Sequence, residues 1–215
     1  MTIERLIRGD SRKRTRFHDF EGNRLPLAGL PDVVPSVCTT VLRKMGIQWW
    51  APWWPYPAIR CLGALIHQSW SILEFGSGAS TPWLASRARH VLSFESNPDW
   101  YSRVQSRLQA INCGGVDLRL RTSQDDYVTA DRYSQNGFDL ALVDGAWRDL
   151  CVQTALRLVR PGGYVYFDNS DVPDPDHRSA VKALLANAET SRRLVGFCPG
   201  AVTVVQGLLV GLRVS

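Results

Sequence analysis

Two glycines set among acids and hydroxyls carry the clearest chemical signal in the chain. The octet Glu74-Phe75-Gly76-Ser77-Gly78-Ala79-Ser80-Thr81 follows the apolar run Ser71-Ile72-Leu73 without a break. Glycine at positions 76 and 78 lets the backbone turn tightly and come close to a ligand. The residues beyond open a helix, whose first N–H groups lack partners within the helix and favour an anion. A dinucleotide fingerprint would place a third small residue at position 81, where Thr81 stands, which disfavours a pyrophosphate. Acids frame the turn instead. Glu74 suits a ligand with a positive amino group, and Glu95, ending the next apolar run, can accept hydrogen bonds from both hydroxyls of a ribose. Further along, Asp144 and then Asp168-Asn169-Ser170-Asp171 follow apolar runs of their own. Asp144, Asp168 and His177 are the candidates to take a proton from a reacting group.

These residues need elements to hold them, and the sequence supplies an alternating set. Strands are expected at 71–75, 91–95, 116–121, 138–143 and 164–167. Helices are expected at 81–89, 98–111, 147–159 and 177–188. Ser80 and Asn97 are placed to cap the first two helices. The run Pro161-Gly162-Gly163 stops the third. Alternation of this kind gives βαβ units and a mainly parallel sheet covered on both faces. Two last strands, near 193–197 and 202–210, are separated only by Cys198-Pro199-Gly200-Ala201, so they form an antiparallel hairpin at one side. The expected fold class is therefore α/β, a doubly wound, mainly parallel seven-stranded sheet ending in an antiparallel hairpin. We read a single domain over 1–215, with 1–68 as an N-terminal extension and cap and 69–215 as the ligand-binding core.

The extension has its own character. Gly22, Pro26, Gly29, Pro31 and Pro35 make 22–36 an irregular connection. The segment Ile47-Gln48-Trp49-Trp50-Ala51-Pro52-Trp53-Trp54-Pro55-Tyr56-Pro57 holds four tryptophans, with prolines that prevent a continuous helix. Such rings can form a binding wall or a cap over the core. A short amphipathic helix follows from Ala58 to Ile66. Arg5, Arg8, Arg12, Lys13, Arg14 and Arg16 make a basic arm, which reads first as a solvated terminus and second as an anion-binding element.

Composition narrows the class. The 215 residues are 45% hydrophobic and 21% charged, as in a globular protein and unlike a disordered one. No uncharged apolar run reaches membrane-spanning length, and the first residues lack a secretory h-region. Five scattered cysteines without a CxxC pair indicate neither a disulfide framework nor a structural zinc site, and a reducing, cytoplasmic setting is expected.

Ile72-Leu73-Glu74-Phe75-Gly76-Ser77-Gly78 together with Phe94-Glu95 resembles the first two motifs of class I S-adenosylmethionine-dependent methyltransferases. Phe138-Asp139-Leu140-Ala141-Leu142-Val143-Asp144-Gly145 and Val159-Arg160-Pro161-Gly162-Gly163-Tyr164-Val165 resemble the later ones, so the likeness runs over about 70–210. The resemblance implies S-adenosylmethionine as cofactor. Gly76, Ser77 and Gly78 would wrap its methionine part, with Glu74 nearby and Ser80 or Thr81 near its carboxylate. Glu95 would hold the ribose, Ser96 would flank the adenine, Asp125 and Asp126 would reach the adenine edge, and Asp144 would face the reacting centre. Asp144, Asp168 and Asn169 also match, by type and location, the oxygen ligands with which catechol-type and caffeoyl-CoA-type O-methyltransferases hold a divalent ion, which implies Mg²⁺. Those enzymes carry a lysine three residues after the first of these acids; here Trp147 stands there, with Arg148 next.

The implied activity is methyl transfer to a small-molecule or glycan acceptor, at oxygen, with Trp53, Trp54, Tyr56, Trp147 and Asn169 as acceptor contacts. Two alternatives stand beside it. Aminopropyl transfer uses a related fold and would need acids such as Asp144, Asp168 and Asp171 for a polyamine, which a chain of net charge +5 disfavours. A non-catalytic single-strand nucleic-acid-binding module would use the basic arm and the tryptophans but leaves the glycine turn unexplained. The Asn/Asp-Pro-Pro-Tyr tetrad of base N-methylation is absent.

Overall fold

The computed structural model describes residues 14–47, 50–129, 135 and 137–214. Seven strands form one sheet: β1 Ser71–Phe75, β2 His90–Glu95, β3 Val116–Leu120, β4 Phe138–Val143, β5 Val159–Asp168, β6 Ala188–Cys198 and β7 Ala201–Leu212. Their order across the sheet is β3-β2-β1-β4-β5-β7-β6. The first five strands run parallel, and β7 enters antiparallel between β5 and β6. The expected fold class and terminal hairpin are both present. Strand order reverses between β1 and β4, and the crevice beyond their carboxyl ends is where a doubly wound sheet binds ligands.

The helices are α1 Val33–Lys44, α2 Tyr56–Leu65, α3 Ser80–Ala85, α4 Pro98–Ala110, α5 Gln124–Val128, α6 Arg148–Leu158 and α7 Pro175–Ala186. Helices cover both faces of the sheet, so the central strands are apolar on both sides. Alternation sorts β4 cleanly. Leu140 and Leu142 join Trp54, Leu62, Ile72, Leu84 and Tyr166 on one face. Ala141 and Val143 join Phe75, Phe94, Tyr127, Cys151 and Phe167 on the other.

Several expectations are corrected. The connection at 22–36 does not stay irregular: a 3-10 turn at Leu27–Asp32 leads straight into α1, with Pro35 tolerated in its first turn. This helix lies on the hairpin turn. The Ser36 hydroxyl donates to the carbonyls of Cys198 and Ala201, and the Gly200 N–H donates to Thr39 Oγ1. α3 ends at Ala85 because Arg89 N–H bonds to Trp70 O, turning the chain into β2. Ser80 does not cap that helix with its side chain, whereas Asn97 does cap α4, accepting from Trp100 N–H. β5 begins at Val159 and bulges through Pro161-Gly162-Gly163, so Phe138 pairs with Val159 but Leu140 with Tyr164.

Residues 1–13, with Arg5, Arg8, Arg12 and Lys13 of the basic arm, lie outside the described residues, as do Gln48 and Trp49. Arg16 donates to the carbonyl of Val202 and so packs along β7. No helix among the described residues is long and apolar enough to cross a membrane.

Candidate functional site

The site starts with the buried Glu74. Parallel pairing of β1 with β2 sets Glu74 opposite Ser93, whose hydroxyl donates to Glu74 Oε2 at 2.6 Å. Thr81 donates to the same oxygen at 2.7 Å and Ser80 donates to Oε1 at 2.5 Å. Burial is the larger effect and raises the carboxyl pKa from 4.5 to about 7, against the three hydroxyls that favour the anion. Thr81 Oγ1 also accepts from Gly78 N–H at 3.0 Å. Glu74 thus ties the glycine turn shut from beneath and does not border the cavity above it. Of the residues expected near the cofactor, Glu74 and Thr81 lie just behind the turn and are not among those lining the cavity. Ser80 borders the cavity but turns its hydroxyl inward to Glu74.

Gly76 adopts φ 97°, and a Cβ there would come within 2.7 Å of the Gly145 backbone. Only glycine allows β1 and β4 to close on each other at this point. Above the turn lies a cavity of about 310 Å³, lined by Trp53, Gly76–Ser80, Glu95, Ser96, Trp100 and Asp144–Ala146. It matches a small-molecule site in size. A Cβ on Gly78 would make ordinary contact with Ser80 Oγ and Trp100 Nε1, both at 3.8 Å, so packing alone does not demand glycine at this point of the cavity wall. Glu95 Oε1 accepts from Ser96 and Asn97 N–H, both at 2.8 Å, and Oε2 accepts from the Ser77 hydroxyl at 3.1 Å. Those bonds fix the carboxylate at the cavity wall. Trp100, which the sequence reading missed, donates from its ring to Ser77 O at 2.6 Å and braces the turn.

The opposite wall is Asp144. Trp54 Nε1 donates to its Oδ2 at 3.2 Å, and Arg148 Nη2 to its Oδ1 at 2.9 Å. Burial raises the Asp144 pKa, with Arg148 and Trp54 opposing. Asp168 is buried behind it and accepts from the Tyr166 hydroxyl at 2.7 Å. Its pKa is held well above the carboxylate range by burial first and by the charge of Asp144 second. Asp144 borders the cavity and Asp168 does not.

Other expected residues are placed elsewhere. Phe167 and Asp168 point to opposite faces of β5, and His177 packs edge-on to Phe167 and pairs with Asp174 at 2.7 Å. It is on the wrong face to meet Asp168. Asp126 pairs with Arg121, and neither Asp125 nor Asp126 borders the cavity. Of the acceptor candidates, Trp53 borders it. Trp54 is buried against Tyr166 and Trp83, Tyr56 turns toward Thr39, and Trp147 packs on Tyr127. Beyond the Trp53–Trp100 pair, whose rings lie 6.5 Å apart, a second hollow of about 200 Å³ is edged by Arg43 and Arg103.

The oxygens that would hold the implied Mg²⁺ are already engaged within the chain. Asp144 Oδ1 and Asn169 Oδ1 both accept from Arg148, and Asp168 is turned to Tyr166. A guanidinium lies where the ion would, so these residues do not fit a divalent ion. Among the described residues, no group of three or more His, Cys, Asp or Glu could hold a metal.

No family model and no curated protein matches the chain. Solved structures do. An O-methyltransferase, TomG, from Streptomyces achromogenes, in complex with SAM, aligns with TM-score 0.61 at 24% identity, over 83% of this chain and 88% of its own. An O-methyltransferase from Bacillus cereus, in complex with SAH, aligns with TM-score 0.61 at 19% identity, over 87% and 92%. The chain has the fold of these methyltransferases. A spermidine synthase from Thermotoga maritima shares it at TM-score 0.52 and 14% identity, over 70% of this chain and 55% of its own. Fold alone does not select the reaction, which must be argued from the site.

Proposed function

We propose that the protein is an S-adenosylmethionine-dependent methyltransferase acting on an oxygen of a small-molecule acceptor, sugars included. The observation that carries this reading is the cavity across the sheet's reversal point, lined by the glycine turn on one side and with fixed Glu95 and Asp144 carboxylates in its walls. Glu95 offers its acceptor oxygens to the ribose hydroxyls. Gly76 and Gly78, which lack side chains, let the methionine portion come close to the turn. Bound S-adenosylmethionine supplies a methyl carbon on a sulfonium that leaves readily. The chain mainly positions the acceptor. Asp144 faces the cavity, and Arg148 and Trp54 hold its carboxylate in place, so that it can accept a hydrogen bond from the acceptor hydroxyl and orient it. Trp53 and Trp100 give apolar ring faces at the entrance, where a sugar or aromatic ring can stack.

Aminopropyl transfer is less well supported. A polyamine needs free carboxylates, whereas Asp144 is paired with Arg148, Asp168 is bound to Tyr166, and Asp171 accepts from Phe20 N–H. A single-strand-binding platform is also disfavoured, because Trp54 is buried in the core.

Calorimetry with S-adenosylhomocysteine tests the reading. Wild type is expected to bind, and Glu95→Gln to bind about tenfold more weakly, the scale of one charge-assisted hydrogen bond. No heat with folded wild type overturns it. A methyl-release screen of hydroxylated aromatics and sugars then identifies the acceptor.

A further inference from the structure

Arg148 is the first residue of α6, four positions after Asp144, and its side chain is only 16% exposed. Nε donates to Gly145 O at 3.0 Å. Nη1 donates to Asp168 O at 2.7 Å and to Asn169 Oδ1 at 3.3 Å. Nη2 donates to Asp144 O at 3.0 Å and to Asp144 Oδ1 at 2.9 Å. A guanidinium has five N–H groups, and these contacts use all of them. The oxygens gathered are one carboxylate, one side-chain amide and three backbone carbonyls, from the ends of two adjacent strands. Hard cations collect oxygen ligands of these kinds.

We propose that Arg148 is a resident cation standing where a divalent ion would otherwise sit, so that this site works without added metal. With every N–H occupied, Arg148 does not touch the acceptor. It is a positioning residue that acts through Asp144, neutralising and orienting the carboxylate at the cavity wall. It also binds Asn169, which is held at φ 52°, and so joins the loop after β5 to the end of β4. A consequence for the substrate follows. A metal site selects acceptors with two adjacent oxygens to chelate, whereas a site with an internal cation requires one hydroxyl facing Asp144. This clause rests on the methyl-transfer reading; the cation itself does not.

The test has two arms on the full chain. In the first, Mn²⁺ is titrated and followed by electron paramagnetic resonance. Wild type is expected to bind no Mn²⁺ at about millimolar concentration, with or without S-adenosylhomocysteine. In the second, Arg148→Ala is expected to lose about tenfold or more in S-adenosylhomocysteine affinity. Guanidinium ion restores the loss, and potassium at equal ionic strength does not. Arg148→Lys keeps the charge but lacks the planar fork and stays weakened. It serves as the second variant if Arg148→Ala fails to fold. Mn²⁺ bound to wild type and released by Asp144→Asn would overturn the proposal. So would an Arg148→Ala variant with unchanged affinity, or one that guanidinium leaves unrescued. If wild type binds no S-adenosylhomocysteine at all, the methyl-transfer reading fails, and the Mn²⁺ arm still decides about the cation.

Discussion

Glu74 makes a quantitative statement about how stability changes with pH. Its carboxyl is buried, and burial raises its pKa from 4.5 to about 7 despite the hydroxyls of Ser80, Thr81 and Ser93. Between those values the folded chain holds a proton that the unfolded chain releases. Rising pH therefore favours the unfolded state over that window. The contribution of Glu74 is complete below pH 4.5 and is lost as pH climbs through about 7. At about 1.4 kcal/mol per pH unit, the interval corresponds to about 3 kcal/mol. Glu74→Gln cannot titrate, so subtracting one stability curve from the other leaves the titration of Glu74 together with its coupling to the Asp144 charge. The stability of wild type relative to Glu74→Gln is expected to fall by roughly 2–3 kcal/mol from about pH 5 to about pH 8, which at about 2 kcal/mol per molar urea moves the difference in midpoints by roughly 1.2 M. Urea unfolding followed by tryptophan fluorescence at both pH values reads this directly. A difference that stays level across the window would refute the buried, proton-holding Glu74 and the tie it makes beneath the glycine turn.

Three further outcomes follow from packing. Gly76→Ala sets a Cβ against the Gly145 backbone at a φ of 97°; it is expected to cost about 2 kcal/mol or more in thermal unfolding and to abolish S-adenosylhomocysteine binding, and normal binding would show that the turn is not the ligand cradle. Trp54→Ala removes a ring that is 1% exposed and should cost about 3–5 kcal/mol. Trp53→Ala, at 49% exposure, should leave stability within about 0.5 kcal/mol and raise the KM for the acceptor; equal destabilisation by the two would contradict the division of the tryptophan segment into core and entrance.

Much of this molecule is legible in the order of its residues. Short apolar runs alternating with helical stretches, glycines between strand and helix, and the short link at Cys198–Ala201 specify a doubly wound sheet with a terminal hairpin, because backbone geometry restricts each pattern to few forms. The same local rules mark Gly76, Gly78 and Glu95 at the cavity and Asn97 as a cap. Tertiary structure decided which side chains meet. Glu74 looked like a ligand contact until strand register set it opposite Ser93 and burial enclosed it with three hydroxyls. His177 follows Asp168 closely in sequence, yet strand alternation sends the two to opposite faces. The segment with four tryptophans gives no sign of which rings turn inward, since all share one hydrophobicity; the space beside Tyr166 and Trp83 took Trp54. Arg148 was visible four residues after Asp144, but its role depends on carbonyls at the end of β5, twenty residues away in the chain and brought beside it only when the two strands pair. Local sequence fixes backbone form through short-range sterics, whereas charge pairing and burial depend on neighbours that only the folded sheet supplies.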